Sequence, residues 1–162
     1  QPIIFQKGFP TASGRARFVP AQHIHADEIP DADYSFVFTT GRQLEHWHTG
    51  SMTRHATVLD AIEPEAVASI HPEDLEELGI VPGDRVVLAS RRGEITATAR
   101  ADRGMARRSV FMPFCFHEAA ANLLTNEALD PYGKIPEFKY CAIRVRPAAP
   151  AGTRPERDVA TA

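Results

Sequence analysis

The densest group of side chains able to do chemistry lies between Thr39 and Arg54, directly after an apolar run at residues 34–38. The segment reads TTGRQLEHWHTGSMTR and holds two arginines, two histidines, a tryptophan and several hydroxyl groups. Guanidinium groups and the backbone N–H groups of a glycine turn suit phosphate, whereas indole and imidazole rings suit a flat heterocycle. The segment is therefore predicted to meet a nucleotide-like ligand.

The two histidines of this segment could also be metal ligands, because imidazole is a common one. His46 and His48 nevertheless lack a third cysteine, histidine or acidic ligand nearby, so we prefer ligand contact or a structural role and assign no metal site. Trp47, the only tryptophan, is expected either to stack on a ligand or to fill the core. Cys115 and Cys141 lie in apolar runs and form no ligand pattern, which predicts buried free thiols.

Length and composition restrict the class of protein. The 162 residues fit one domain with tails, and an apolar fraction of 43% is enough for a core. The net charge of -3 gives no general attraction for nucleic acid or anionic membranes, and no apolar run is long enough for a membrane span. We expect neither partner. His117 and Glu118 are interpreted as a solvated loop pair, and no residue is assigned a catalytic role.

The ends of the chain are expected to lie outside the main domain. The sequence begins at Gln1 and its first methionine is Met52, which favours a fragment of a longer polypeptide over a processed product. Residues 1–33 are predicted to be an irregular lead-in from a preceding domain, since prolines and glycines interrupt every periodic pattern; residues 16–19 could form one short strand. Residues 147–162 are expected to be disordered. We expect a cytoplasmic location.

Periodic patterns predict a mainly β domain over residues 34–146. Strands are expected at 34–40, 66–70, 85–91, 94–100, 109–114 and 140–146. A type II turn at Pro82-Gly83 precedes the hairpin, and a short helix is expected after His71 because proline and acidic residues follow it. Residues 56–62 fit a helix or a strand. Six or seven strands with little helix favour a closed barrel over a layered α/β fold.

Two further expectations concern side-chain direction. Alternation in the last strand places Cys141, Ile143 and Val145 inward and Ala142 outward. The basic pairs Arg91-Arg92 and Arg107-Arg108 lie at hairpin ends and are interpreted as solvated turns.

Several motifs resemble, in the same order, those of the C-terminal domain of the molybdopterin-dependent oxidoreductases. The matching segments are FVFTTGR at 36–42, HWHTGSMTR at 46–54, IHPEDL at 70–75, LGIVPGDRV at 78–86, NLLTN at 122–126 and PEFKYCAIRV at 136–145. Each motif alone is weak, but their order across the domain is specific. The resemblance implies a mainly β fold, the double-psi β-barrel of the aspartate decarboxylase type, with short helices.

The resemblance also implies a cofactor, bis(molybdopterin guanine dinucleotide) carrying molybdenum or tungsten. Relatives hold the metal through pterin dithiolenes and a cysteine or selenocysteine of an earlier domain, and neither cysteine here matches that ligand. Iron–sulfur clusters are expected only in missing domains. The implied partners are the remaining domains of the same large subunit and electron-transfer subunits, so the isolated domain is expected to be inactive.

The matching motifs suggest which residues contact the cofactor. The set is Gly41, Arg42, Gln43, Glu45, His46, Trp47, His48, Phe114, Asn122, Phe138 and Lys139. Arg42 and Lys139 are expected to meet phosphate or pterin oxygens. Phe114 and Phe138 either lie against the cofactor or belong to the core. Asn122 either binds a pterin or guanine edge or caps a helix.

Within the family, the run EHWHTG resembles formate dehydrogenase large subunits. Assimilatory nitrate reductases have a WHTMTR version, whereas Gly50 and Ser51 intervene before Met52 here. The expected reaction of the whole enzyme is oxidation of formate to carbon dioxide, with nitrate reduction as the alternative. A cofactor-free barrel acting as a protein-binding adaptor is the rival from another class, and a small subunit completing a site in trans is a third possibility. The ring and guanidinium density between Arg42 and His48 favours the cofactor.

Overall fold

Six strands close into a barrel in the computed structural model, which describes residues 4–148. The strands are β1 (Phe36–Gly41), β2 (Val67–Ile70), β3 (Arg85–Ala89), β4 (Glu94–Ala101), β5 (Ser109–Pro113) and β6 (Cys141–Pro147). Around the barrel they follow the order β1-β5-β2-β4-β3-β6. The β1/β5 and β2/β4 pairs are parallel, and the other neighbours are antiparallel. The expected mainly β, double-psi barrel is confirmed.

Short helices connect the strands. Residues 56–62, which fitted either element, form α1 (Thr57–Ile62), and the predicted short helix is α2 (Pro72–Glu77). His71 caps α2 by accepting a hydrogen bond from the Glu73 N–H group at Nδ1, 3.2 Å away. Three single 3₁₀ turns complete the set at Thr53–His55, His117–Ala119 and Ala121–Leu123. None of the described helices is long and apolar enough to cross a membrane.

The segment before β1 is described almost completely, whereas most of the segment after β6 is not. Residues 4–35 contain turns but no helix or strand, so the short strand considered at 16–19 does not form. Of the tail expected to be disordered, residues from 149 onward lie outside the described residues, and Pro147 is the last residue of β6.

The barrel interior holds the alternating side chains of the strands. Phe38, Leu88 and Ile143 have no exposed surface. The outward-facing Ala142 is also fully buried, and its N–H group donates to Oε2 of Glu28 over 3.3 Å. The lead-in therefore lies against the outside of β6, a long-range contact that strand periodicity does not reveal.

Glu28 fixes this lead-in to the turn between β3 and β4. Its carboxylate oxygens lie 2.7 Å from guanidinium nitrogens of both Arg91 and Arg92. The side chain of Glu28 is only 13% exposed, so these ion pairs are poorly screened by solvent. The prediction that Arg91-Arg92 is a solvated turn was wrong, because the acidic partner lies more than sixty positions away in the sequence.

Acid should weaken the fold partly through Glu28. Burial raises the pKa of this carboxyl, but hydrogen bonds from Arg92 and Arg91 outweigh it, and the net pKa lies below the ordinary value. Such a group stabilises the fold above its unfolded pKa, and the contribution is lost as pH falls through the folded pKa. We therefore expect the Tm difference between wild type and Glu28→Gln to be constant above about pH 5, where the carboxyl is ionised in both states, and to shrink as pH falls through the lowered folded pKa. Thermal melts across this range measure it; a constant difference at every pH would contradict it.

The second arginine pair is also structural. Nε of Arg107 and the backbone N–H of Arg108 each donate to a carboxylate oxygen of Asp74 over 2.7 Å. Asp74 is fully buried in α2, whereas both arginines keep part of their surface in solvent. Glu73 and Glu77 of the same helix also bind Arg107. The pair therefore anchors α2 to the start of β5, which corrects the expectation of a solvated turn.

Candidate ligand-binding groove

A groove of about 520 Å³ lies at the edge of the barrel where β1 and β5 end. Its lining consists of Arg42, His48, Thr49, Phe114, Asn122, Thr125, Pro136, Phe138 and Lys139. Parallel pairing of β1 with β5 brings Gly41 opposite Pro113, so the segments that follow both strands leave the barrel at the same edge. The Phe114 N–H group also donates to the carbonyl oxygen of Gly41 over 3.2 Å. The groove has three walls, formed by residues 42–49 after β1, residues 114–125 after β5 and residues 136–139 before β6, and strand register positions the first two.

The structure brings six of the eleven predicted contact residues together in this groove. They are Arg42, His48, Phe114, Asn122, Phe138 and Lys139. Sequence reasoning missed three lining residues, Thr49, Thr125 and Pro136. All three lie inside the segments that carry the family resemblance. Membership of those segments was therefore the sequence signal that pointed to them.

Gly41 is not a turn residue. It is the last residue of β1, and it is buried. A Cβ atom added to Gly41 would lie 2.5 Å from Cε2 of Phe111, which is on the neighbouring strand β5. The glycine therefore gives the Phe111 ring room beside β1, and the glycine turn expected in this segment does not occur at Gly41.

His46 is part of the core rather than of the groove lining. It is 1% exposed, and its ring lies edge-on to Phe116 at a centroid distance of 5.6 Å. Nε2 donates to the Glu63 carbonyl oxygen over 2.8 Å, since a carbonyl can only accept. Nδ1 is buried without a hydrogen-bond partner among the described residues. Of the alternatives weighed for this histidine, the structural role fits the position, because the ring ties the loop to the end of α1.

The remaining predicted contacts also lie outside the groove lining. Trp47 is 68% exposed, which excludes the core-filling alternative. Gln43 and Glu45 are half-buried, and Nε2 of Gln43 is buried without a partner in the described part of the chain. Across residues 4–148, no group of three or more His, Cys, Asp or Glu side chains has an arrangement that could hold a metal ion.

The charge of the groove is opposite to that of the whole chain. Among residues 4–148, the lining includes Arg42 and Lys139 but no aspartate or glutamate, whereas the net charge of the protein is -3. Arginine salt bridges in the described part of the chain involve Arg54, Arg85, Arg91, Arg92, Arg100, Arg107, Arg108 and Arg146. Arg42 takes part in none of them, so its guanidinium is available to an anionic ligand.

Aromatic rings line the groove, and hydrogen bonds hold the wall before β6 in place. The His48 ring lies edge-on to Phe114 at 5.3 Å, and Phe138 adds a second phenyl ring. The buried Thr40 hydroxyl donates to the Phe138 carbonyl oxygen over 2.8 Å, and Nζ of Lys139 donates to the Thr40 carbonyl oxygen. Both bonds fasten the segment before β6 to the end of β1. Rings beside cations in one groove suit a flat heterocycle that carries phosphate.

Gly50 sets the shape of the loop that presents His48. Its N–H group donates to the Trp47 carbonyl oxygen over 2.9 Å, and the turn between them gives His48 a φ of 53°. Gly50 itself has a φ of +76°, and an added Cβ would lie 2.9 Å from the Cys115 carbonyl oxygen. Only glycine satisfies both requirements without displacing the loop.

Replacing Gly50 with alanine should displace His48 and Thr49 from the groove. The added methyl group meets backbone at Cys115, and the left-handed conformation costs a further ~1 kcal/mol. Amide chemical shifts of residues 47–54 and urea unfolding report the two effects. Gly79→Ala is the matched control, because Gly79 has a φ of +66° with no atom within 4 Å of the added Cβ. Equal destabilisation by both variants would show that the contact with Cys115 is unimportant.

The two cysteines do not contribute reactive groups to this site. Both are free and buried, as predicted. Burial raises the pKa of Cys141 to about 11 and also raises the pKa of Cys115 above its ordinary value. Both thiols are therefore protonated at neutral pH and are poor metal ligands.

Glu118 likewise has a structural partner. It accepts hydrogen bonds from Nη1 of Arg54 at 3.0 and 3.1 Å, and Arg54 also lies over the Phe116 ring at 4.6 Å. The neighbouring His117 is 93% exposed. The arrangement matches the interpretation of His117 and Glu118 as a loop pair, with Glu118 bound to Arg54 in addition.

Comparison with known proteins identifies relatives of this barrel. The family model for the molydopterin dinucleotide binding domain matches residues 36–142. The chain is similar to the F420-dependent formate dehydrogenase subunit alpha of Methanocaldococcus jannaschii, with 46% identity over 143 residues, 88% of this chain and 21% of that protein. It is also similar to a nitrate reductase of Symbiobacterium thermophilum, with 41% identity over 139 residues, 83% of this chain and 18% of that protein. The chain thus spans about a fifth of the length of these curated relatives.

A solved structure shares the fold. Acetylene hydratase from Pelobacter acetylenicus superimposes with a TM-score of 0.65 over 71% of this chain and 18% of that chain. The sequence identity is 15%, so this likeness shows the barrel fold alone.

Proposed function

The chain belongs to the molydopterin dinucleotide binding domain family, and from this premise we propose that it holds the nucleotide part of the cofactor in a formate dehydrogenase. The observation that carries the proposal is the groove itself. An acid-free, cationic and ring-lined groove in a net negative chain lies where the family motifs converge. A cofactor-free adaptor has no need of such a groove.

The groove residues fit bis(molybdopterin guanine dinucleotide). Arg42 and Lys139 would hold phosphate oxygens, because guanidinium and ammonium groups form charge-assisted hydrogen bonds with them. Phe114 and Phe138 would pack on a pterin or guanine ring, and the Asn122 amide offers a donor and an acceptor to its edge. These are binding and orienting roles, so no catalytic residue is proposed on this chain.

The remaining parts of the reaction are proposed to lie elsewhere in the same large subunit. When bound, the cofactor supplies a molybdenum or tungsten centre that takes two electrons as formate loses a proton and becomes carbon dioxide. We place the protein ligand of that metal and the iron–sulfur clusters in other domains, with electron-transfer subunits as further partners. The barrel at residues 34–146 would enclose the nucleotide, with residues 1–33 as the connection. A cytoplasmic location is part of the same proposal.

Formate is preferred to nitrate as the substrate of the whole enzyme. The EHWHTG run and the 46% identity to an F420-dependent formate dehydrogenase subunit support formate. Nitrate reduction is the second candidate, supported by the 41% identity to a nitrate reductase. The purified whole enzyme separates them: formate-dependent reduction of benzyl viologen supports the first, and nitrate-dependent oxidation of reduced viologen the second.

Titration of the isotope-labelled chain with GDP, followed by amide chemical shifts, tests the domain-level proposal. We expect shifts at Arg42, His48, Asn122 and residues 138–139 that are larger with GDP than with ATP, since the proposed ring is guanine. Shifts confined to other surfaces would overturn the assignment of the groove. Equal shifts with both nucleotides would support phosphate binding but not recognition of guanine.

A further inference from the structure

Two groove walls are held from outside by the lead-in. The wall after β5 contains Asn122 and Thr125, and the Leu124 carbonyl oxygen lies between them in the chain. That oxygen accepts hydrogen bonds from Nε and Nη2 of Arg92 at 3.0 and 2.8 Å. Arg92 does not line the groove, so it fixes the wall from behind.

The orientation of Arg92 depends on Glu28. Nη2 of Arg92 donates to Oε2 of Glu28 over 2.7 Å while Nη1 donates to Oε1 over 3.2 Å. Its guanidinium is thereby fixed between a carboxylate of the lead-in and the Leu124 carbonyl oxygen. Arginine suits this position, since its planar fork serves two acceptors at once. Without the carboxylate, the Leu124 carbonyl is the remaining acceptor for this side chain in the described part of the chain.

A second contact of the lead-in reaches the wall before β6. The backbone N–H of Asp27 donates to Oε2 of Glu137 over 3.2 Å, and Glu137 lies between the lining residues Pro136 and Phe138. The same oxygen accepts a hydrogen bond from Nδ2 of Asn126 over 2.9 Å.

Asn126 joins the two walls to each other. It is 9% exposed, and its amide also donates to the Tyr140 carbonyl oxygen over 3.1 Å. Of two adjacent lead-in residues, Asp27 therefore contacts one wall directly and Glu28 reaches the other through Arg92. One buried amide connects the two walls.

We propose that residues 27–28 form a strap that positions these two walls, so that the affinity of the groove for its anionic ligand depends on a carboxylate that does not touch the ligand. The inference rests on the proposed function, because the ligand is taken to be a phosphate-bearing heterocycle. Linkage makes the effect reciprocal: a ligand that needs the walls in place strengthens the strap, and loss of the strap weakens the ligand.

The Glu28→Gln variant tests the strap, and Asp31→Asn is its matched control. Asp31 also binds Arg91 and lies in the same segment, but it forms no hydrogen bond or ion pair with Arg92 or Leu124. Asparagine keeps the Oδ1 acceptor that binds the Asp33 and Tyr34 N–H groups. Both substitutions remove one negative charge from the lead-in, so their difference reports the connection to the wall.

Two readouts apply to each variant of the full chain. The first is amide hydrogen exchange without ligand, where Glu28→Gln should speed exchange at residues 122–126 and 136–140 and Asp31→Asn should not. The second is GDP affinity, which Glu28→Gln should weaken by about three- to tenfold, within the range seen for residues that modulate binding without touching the ligand. If the ion pair of Glu28 only stabilised the fold, its loss would lower the global unfolding temperature. Exchange at the two walls would then not change relative to the rest of the barrel.

The two proposals fail in different ways. If wild type binds no GDP but Glu28→Gln still speeds exchange at both walls, the strap stands and the ligand assignment fails. If wild type binds GDP and Glu28→Gln changes neither exchange nor affinity, the strap is overturned and the proposed function stands. A loss of affinity equal to that of Asp31→Asn would assign the effect to net charge and would also overturn the strap.

Discussion

Replacing both Arg42 and Lys139 with glutamine should weaken GDP binding to the groove by at least about 100-fold, since two charge-assisted hydrogen bonds to phosphate are lost. Within the described part of the chain, these are the only arginine and lysine side chains that line the groove. Glutamine removes both charges, and the bond from the Thr40 hydroxyl to the Phe138 carbonyl oxygen depends on neither side chain. The wall before β6 should therefore stay in place while its charge is removed. Isothermal titration calorimetry measures the affinity.

A control with the same change in net charge separates local binding from general attraction. Arg103 and Lys134 are exposed and lie outside the groove lining. Their double glutamine variant removes two positive charges, and its GDP affinity should stay near that of wild type. If the two double variants lose affinity to the same degree, the groove is not the binding site.

Local features of the fold were predictable because they depend on neighbouring residues. Pro82-Gly83 gives the expected turn: Gly83 has a φ of +99°, and the Asp84 N–H donates to the Val81 carbonyl oxygen over 2.9 Å. Strand alternation likewise identified the inward-facing residues Cys141, Ile143 and Val145 of β6. Both signals require only a few consecutive side chains, and both are independent of the rest of the chain.

The long-range contacts that hold the fold together could not be predicted from such local patterns. Arg92 meets Glu28 and Thr40 meets Phe138 across 64 and 98 positions. Sequence periodicity has no information on which charged residues meet at such separations. An arginine pair at a turn therefore looks solvated until the whole barrel is closed.

The candidate site shows the same division. The segment from Arg42 to His48 was predicted as one contact surface because its side chains are dense in rings and charge. The loop instead directs Arg42 and His48 into the groove while His46 enters the core and Trp47 stays exposed. Direction within an irregular loop depends on the turn at Gly50 and on the partner of each side chain, which the residue types do not specify.

Replacing Asp74 with alanine should destabilise the protein by about 2–4 kcal/mol, because a buried carboxylate that accepts several hydrogen bonds is removed. Asp74 is fully buried and accepts from Nε of Arg107 and the N–H of Arg108. Arg108 has a φ of 59°, and β5 begins at the next residue, Ser109. Loss of the acceptor releases a strained turn at the start of the strand that leads to the groove. Urea unfolding at neutral pH measures the change.

Glu73→Ala is the matched control for this effect. Glu73 lies one position earlier in α2 and binds the same arginine, but 64% of its side chain is exposed. An exposed ion pair contributes little in water, so this variant should cost below about 0.5 kcal/mol. Asp74→Asn should fall between the two, because it keeps one acceptor oxygen for the Arg108 N–H. If Glu73→Ala and Asp74→Ala lower the free energy of unfolding equally, the burial of Asp74 does not matter. The anchoring of α2 to β5 must then come from the exposed ion pairs, and their contribution should fall with added salt.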